Sequence, residues 1–372
     1  MVMRVGSWIG KPALVLASTL ATFALAEGIL RFRGVPYDLT AYHADPALGY
    51  ILRPNLHAVL DGVRHDYNRR GLRDRDYPDR AETGRVRVLA LGDSVTFAQS
   101  LPLEATFPKR LERLLGSSGS GGSEILNGGV AGYNACQEEA FYRNVGASYQ
   151  PDLVIWQYCL NDVDRAWNPY AVSNTGLIRM PAGLKRTLRE NVLLWGFLRS
   201  RSYALMQQLG WMEDGRNASR PESAHRLLEH YRRRDGGPWD EAWGCVRRAF
   251  SEMKSRGQAG IVLVVPYAMH LDQSSGFDDA PIREVLRRCY DDDLRCISLL
   301  DTFRGHPAGG LYLLPDYVHL TARGHDVIAQ AIAPTVRDMI QERAGGSGKP
   351  DRGPALPVEH PAAPDADAPG VL

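Results

Sequence analysis

A serine hydroxyl attacks a carbonyl only when a base takes its proton, so the first residues of interest are a serine, a histidine and a carboxylate that can meet. Ser94 lies in Gly92-Asp-Ser-Val95, directly after an apolar run. Far downstream, Leu314-Pro-Asp316-Tyr-Val-His319-Leu-Thr-Ala-Arg-Gly324 places a carboxylate three positions before a histidine. One short loop can therefore deliver both partners: Asp316 to hold the imidazole tautomer and stabilise its cation, and His319 to take the serine proton and return it to a leaving group. Acyl transfer also needs donors aimed at the oxygen that becomes negative, each typically worth on the order of a hundredfold in rate or more. Gly132, in Asn127-Gly-Gly-Val-Ala-Gly132-Tyr133, can bring its N–H close because no Cβ obstructs the approach. Asn161 can donate from its amide, and with the Ser94 N–H these make a three-donor oxyanion hole.

Those residues must be held by regular elements. Arg85–Leu91 reads as a buried strand running straight into the serine turn, and Phe107–Leu115 as a helix that Thr106 can cap, with Pro108 tolerated in its first turn. Glu124–Asn127 is a short strand entering the glycine turn, 135–146 has helical composition, and Asp152–Tyr158 is a strand that ends at Leu160-Asn161-Asp162. Gly260–Val265 and Arg295–Leu300 supply two more strands, with a helix over Pro281–Tyr290 between them and a final helix starting near Thr321. Strands alternating with helices imply a parallel sheet covered on both faces, joined by right-handed crossovers. Ligands in such sheets bind beyond the carboxyl ends of the strands, where the Ser94, Gly132 and Asn161 turns all fall. Residues 163–236 break the rhythm with helical stretches such as Leu184–Gln208 and a basic triplet at Arg232–Arg234; they read as an inserted cap or lid, and the triplet as a solvated face.

The four segments, in this order, resemble the blocks of the SGNH hydrolases, also called the GDSL esterase and lipase family. Val95 stands where the family name has leucine. Gly132 matches the glycine of the second block, Asn161 the asparagine of the third, and Asp316 with His319 the last. Cys159 stands where the family usually has a glycine two positions before the asparagine. The resemblance spans roughly 85–340 and implies a flavodoxin-like three-layer α/β/α fold. It further implies Ser94, Asp316 and His319 as catalytic residues, an oxyanion hole of Ser94, Gly132 and Asn161, an acyl-serine intermediate, and no cofactor or metal. Substrates implied are acylated carbohydrates, lipid esters or thioesters; an O-acyltransferase would use the same triad, and a silent envelope scaffold would keep the fold without the chemistry. The lead-in, with Asp45-Pro-Ala-Leu-Gly-Tyr50 and Asn68-Arg-Arg-Gly71, is similar to that of membrane-anchored bacterial members.

Each of these residues alone has an ordinary structural reading: Ser94 or Asp316 as a helix cap, Gly132 as a tight turn, Asn161 as a turn residue at a strand end. It is four separate segments meeting the needs of one mechanism that favours chemistry. His325, six positions past His319 on the last helix, reads as structural. Five cysteines form no CxxC pair and have no matching histidine spacing, which argues against a structural zinc site. An odd number leaves one unpaired in a monomer; Cys289 and Cys296 can close a small loop only if their Cα atoms come close enough. Cys136 and Cys159 near the strand ends show no mark of an activated thiol.

The ends of the chain bear on location. Arg4 and Lys11 precede the uncharged apolar run Pro12–Ala26, which Glu27 interrupts before Ile29 and Leu30. It is either a signal peptide with a small-residue site at Ala24-Leu25-Ala26, or an uncleaved anchor over Trp8–Leu30 with Glu27 at the outer interface. The anchor is favoured, and the basic N-terminus puts the body on the extracytoplasmic side, against which Arg31 and Arg33 pull. A buried core helix is the remaining reading. The expected organisation is thus a segment 1–34 for export or anchoring, an extended lead-in 35–84, a hydrolase domain 85–344 carrying the insertion 163–236, and a Gly/Pro/Ala/Asp-rich tail 345–372 expected to be disordered. Lys and Arg number 44 against 43 Asp and Glu, so nothing in the charge balance favours a nucleic acid partner.

Overall fold

Five apolar stretches become the five parallel strands of the central sheet. They are β5 (Val86–Gly92), β6 (Ser123–Gly129), β7 (Leu153–Tyr158), β8 (Ala259–Val264) and β9 (Cys296–Ser298), hydrogen-bonded in the order β6-β5-β7-β8-β9. The register is fixed by pairs such as Leu89 with Leu126, Leu89 with Val154, Ile155 with Ile261 and Leu263 with Ile297. Every residue of β7 is buried, as a strand covered on both faces requires. This is the doubly wound flavodoxin-like order, and its direction of winding reverses between β5 and β7. The structure is a computed structural model, and it describes residues 10–33, 41–60, 62–116, 122–163, 184, 187–188, 191–208, 237–271 and 277–345.

One face is covered by α3 (Phe107–Gly116) and α10 (Ala322–Gly345), which pack on each other. The opposite face carries α4 (Ala135–Asn144), α6 (Pro238–Ser255) and α7 (Ala280–Asp291). A disulfide between Cys136 and Cys245 joins α4 to α6, and a second joins Cys289 on α7 to Cys296 on β9; Cys159 stays free and buried. The first of these pairs has no signature in the spacing. Thr106 does not cap α3 as expected. Its hydroxyl donates back to the Leu103 carbonyl at 2.7 Å, and the Phe107 N–H is taken instead by Nδ1 of His325 at 3.2 Å. His325 is fully buried beside the Phe107 ring, and burial pushes its pKa down to about 3, so the ring stays neutral and can accept that bond.

The lead-in is more ordered than an extended strap. Its described residues form two antiparallel hairpins, β1 (Tyr42–Asp45) with β2 (Gly49–Leu52), and β3 (His57–Leu60) with β4 (Val63–Asp66). Asp45 makes the first turn by accepting the Ala47 and Leu48 N–H groups at 2.9 and 2.8 Å. Buried ion pairs fasten the segment that follows to the sheet. Lys109 Nζ meets Asp74 at 2.6 Å, Asp74 also accepts the Asn127 N–H at 2.9 Å, and Arg87 meets Glu124 at 2.7 Å while donating to the Pro78 carbonyl.

The apolar N-terminal run is a helix, α1 (Gly10–Phe32), and an 18-residue window within Lys11–Phe32 reaches a mean hydropathy of 1.9. Among the described residues it is the one helix long and apolar enough to cross a membrane. Of the insertion, α5 (Leu193–Gln208) is described; most of 163–236, including Arg232–Arg234, lies outside the described residues, as does the tail from 346 on.

Candidate active site

Three strands of the sheet deliver the three turns. At the end of β5, Gly92 allows the chain to bend against its neighbours, since a Cβ there would sit 2.4 Å from Thr96 Oγ1 and 2.5 Å from Gln157 Oε1. The backbone then enters α2 (Ser94–Phe97), whose first residue is the serine. Asp93, buried, caps this turn by accepting the Val95 N–H at 2.9 Å. Ala98 ends it in the left-handed region at φ +52°, a conformation that costs a non-glycine residue about 1–2 kcal/mol. Arg73 from the lead-in offsets that cost: its buried guanidinium donates to the Phe97 and Ala98 carbonyls at 2.6 Å each and to the Leu101 carbonyl.

His319 and Asp316 come from the loop between α9 (Ala308–Leu311), which follows the short helix α8 (Leu300–Arg304), and α10, held by the isolated pairing of Tyr312 with Leu320. His319 Nε2 lies 2.8 Å from Ser94 Oγ, and Nδ1 lies 2.5 Å from Asp316 Oδ2. The other Asp316 oxygen accepts the Val318 and His319 N–H groups at 2.9 and 3.0 Å. The carboxylate is thus oriented on three sides, and with Nδ1–H facing it, Nε2 is left as the acceptor toward Ser94. Desolvation of the ring disfavours its cation, but the hydrogen bond and charge of Asp316, with Asp93 farther off, outweigh it and hold the His319 pKa above the ordinary 6.5. Burial likewise works against the Asp316 carboxylate, and the hydrogen bond from His319 and its neighbours more than compensates, so its pKa lies below 3.8. The His319 side chain keeps 38% of its surface exposed, which leaves the pair open to an incoming substrate.

The remaining two turns flank the serine. Gly132 follows β6 in the left-handed region at φ +81°, and its turn is tied to the end of β5 by Val130 N–H donating to the Gly92 carbonyl at 3.1 Å. Asn161 follows β7, and its amide donates to Asp93 Oδ2 at 3.0 Å. A carboxylate only accepts, so the NH2 end of Asn161 must face Asp93, which leaves one amide hydrogen to give elsewhere. The Tyr267 hydroxyl donates to Asn161 Oδ1 at 3.1 Å and locks that orientation. Asp93 and Tyr267 are additions to the residues expected from the sequence. Asp93 was visible inside the Gly92–Val95 block, and Tyr267 stands just past the carboxyl end of β8, where the fold rule directs attention. Cys159 donates its N–H to Asp162 Oδ2 at 3.0 Å, and burial first, with Asp93 and Asp162 nearby, pushes its thiol pKa well up, which makes it unreactive. Among the described residues no cluster of three His, Cys, Asp or Glu side chains is arranged to hold a metal ion.

The model of the GDSL-like Lipase/Acylhydrolase family matches residues 90–327, more than half the chain and every turn just described. The chain belongs to that family. No curated protein matches the chain. Solved structures that resemble this GDSL-like family member include an acetylxylan esterase from Geobacillus stearothermophilus, at 16% identity and a TM-score of 0.41, covering 68% of this chain and 94% of that one. A lipase/acylhydrolase from Enterococcus faecalis resembles it at 12% identity and a TM-score of 0.40, covering 68% and 96%. An α/β hydrolase enzyme from the metagenome of Lake Arreo does so at 15% identity and 0.39, covering 69% and 97%.

Proposed function

We propose that this GDSL-like family member is a serine ester hydrolase working through an acyl-serine intermediate on an acylated carbohydrate or lipid of the cell envelope. The observation that carries the reading is the unbroken line Ser94 Oγ to His319 Nε2, His319 Nδ1 to Asp316, at 2.8 and 2.5 Å. In the first half-reaction His319 takes the Ser94 proton as Oγ attacks the acyl carbon, and Asp316 stabilises the imidazolium without being protonated. The oxyanion is received by the N–H groups of Ser94 and Gly132 and the free amide hydrogen of Asn161. Collapse expels the alcohol, which leaves with the proton from His319. Water then repeats the cycle on the acyl-serine, releasing the acid and restoring Ser94.

The N-terminal helix α1 would hold the domain at the membrane with its body on the extracytoplasmic side, which favours envelope esters over soluble metabolites as substrates. An O-acyltransferase differs only in the acceptor, an alcohol in place of water, and a thioesterase only in the leaving group. The discriminating experiment supplies a chromogenic acetyl ester with and without a sugar acceptor, and follows acetate release and acetyl-sugar formation by wild type and Ser94→Ala. Acetate release that depends on Ser94 and is undiminished by the sugar is the expected result. Acetyl-sugar as the main product would make the chain a transferase, and no Ser94-dependent turnover of any ester or thioester would leave the scaffold reading.

A further inference from the structure

We infer that Tyr50, on the lead-in hairpin, is a positioning residue for the oxyanion hole, acting through the peptide plane that carries the Gly132 N–H. The inference rests on the proposed role of Gly132 as a donor. The Tyr50 hydroxyl donates to the Ala131 carbonyl at 2.8 Å, across 81 positions of sequence. That carbonyl and the Gly132 N–H belong to one planar peptide, which is trans here, so the two groups point in opposite directions. Anchoring the oxygen on one side fixes where the hydrogen points on the other. It also draws electron density toward the oxygen, which makes the N–H a stronger donor, since hydrogen bonds in a chain polarise one another. Nothing among the described residues accepts the Gly132 N–H, so it is available for a substrate oxygen.

The anchor is itself rigid. Tyr50 is fully buried, Tyr133 returns a bond from its own hydroxyl to the Tyr50 carbonyl at 2.5 Å, and the two rings meet edge to face at 5.2 Å. Tyr42 packs edge-on from β1 at 5.1 Å, and Gln137 of α4 donates to the Leu48 carbonyl at 2.9 Å. Burial, with Tyr42, Tyr133 and Asp93 around it, keeps the Tyr50 phenol protonated well above its ordinary range, so the hydroxyl serves as a donor at any working pH. Gly132 needs this help because φ +81° in a glycine is soft: without a partner for the Ala131 oxygen the peptide is free to flip. Nothing in the lead-in sequence marks Tyr50 for this, because its target is a backbone atom.

Tyr50→Phe removes only the hydroxyl. The expected result is a fall in kcat on the order of tenfold with KM within twofold, a His319-dependent acid limb at the native pH, and a matching tenfold weakening of a boronic acid that forms a tetrahedral adduct on Ser94. Tyr142→Phe controls for loss of a buried tyrosine hydroxyl far from the site, where the partner is Gln258; it should cost stability and leave kcat unchanged. The inference is overturned if Tyr50→Phe keeps kcat and boronic acid affinity within twofold of wild type, or if Tyr142→Phe lowers kcat by the same factor. Either failure, with Ser94→Ala inactive, leaves the hydrolase reading standing. A Ser94→Ala variant that still turns over ester would remove that reading first.

Discussion

At the residue scale the proposed hydrolysis depends on which form of His319 is present. A general base must be neutral, and a pKa held above 6.5 keeps the ring charged to higher pH, so kcat/KM should fall on the acid side with a midpoint above 6.5. Because the hydrogen bond and charge of Asp316 are what raise it, Asp316→Asn should move that midpoint down while lowering kcat by about 10⁴-fold, the cost of losing the orienting carboxylate in a triad of this kind. A pH–rate series on both proteins measures this, and an acid limb left in place by the substitution would mean that another group titrates. Asn161 offers a second test. Asn161→Ala should lower kcat by about 10²–10³-fold with little change in KM, and Tyr267→Phe, which frees the amide without removing it, by a smaller factor in the same direction. A rise in KM alone for either variant would place Asn161 in ground-state binding instead. The meeting of Ser94, His319 and Asp316 was legible in the sequence because the nucleophile, base and carboxylate of the proposed reaction have obligatory residue types. Tyr267, Tyr50 and Arg73 were not, because they act on a side-chain orientation or on backbone carbonyls, and any of several residue types could do so elsewhere in a fold.

At the element scale the strands were readable from apolar runs that turn abruptly into Gly, Asn or Ser, whereas the order β6-β5-β7-β8-β9 was not, because right-handed crossovers fix the hand of each connection and not which strands pair. The hairpins of the lead-in were hidden because their strands are short and mix buried tyrosines with exposed charge, as in Val63–Asp66. The capping of α3 differs from the local expectation because a histidine 218 positions away, His325, takes the place of the threonine. Beneath the site, α4 presents Glu138, fully buried with neither carboxyl oxygen hydrogen-bonded among the described residues. Burial above all, then the negative charge of Asp162 and Asp93, pushes its pKa well above 4.5, so the folded protein holds it protonated. A folded-state pKa raised in this way contributes stability that is fully present below about 4.5 and is lost as pH rises toward the folded value, because the unfolded chain ionises first. Glu138→Gln removes that loss. Urea midpoints should therefore favour the variant increasingly as pH rises above about 4.5 toward the raised folded-state value, by up to about 1.4 kcal/mol per pH unit, and parallel curves for the two proteins would contradict the assignment.

At the scale of the whole molecule, the N-terminal helix is tied to the insertion. Glu27 accepts the N–H groups of Leu193 and Leu194 at 3.1 and 2.7 Å, capping α5, while Arg31 donates to Glu27 and to the Asn191 carbonyl at 2.8 and 2.7 Å. An apolar helix whose last charged turn grips another helix is suited to staying in the protein, with Glu27 at the outer interface as the anchor reading requires. Intact protein should accordingly remain in carbonate-washed membranes with residues before Glu27 still present, and its body should be digested by protease added to spheroplasts. A soluble form beginning at Glu27 would support the cleaved signal instead, and full protection in spheroplasts would reverse the topology. The lead-in, braced against the Ser94 turn through Arg73 and against the Gly132 turn through Tyr50, makes the candidate site a product of the whole described fold rather than of residues 90–327 alone. All of it converges on one atom. Treating the purified protein with a fluorophosphonate and mapping the adduct by mass spectrometry should find it on Ser94, with no adduct on Ser94→Ala and greatly slowed labelling of His319→Ala; a folded wild-type protein that remains unlabelled, or carries the adduct on another serine, would contradict the account.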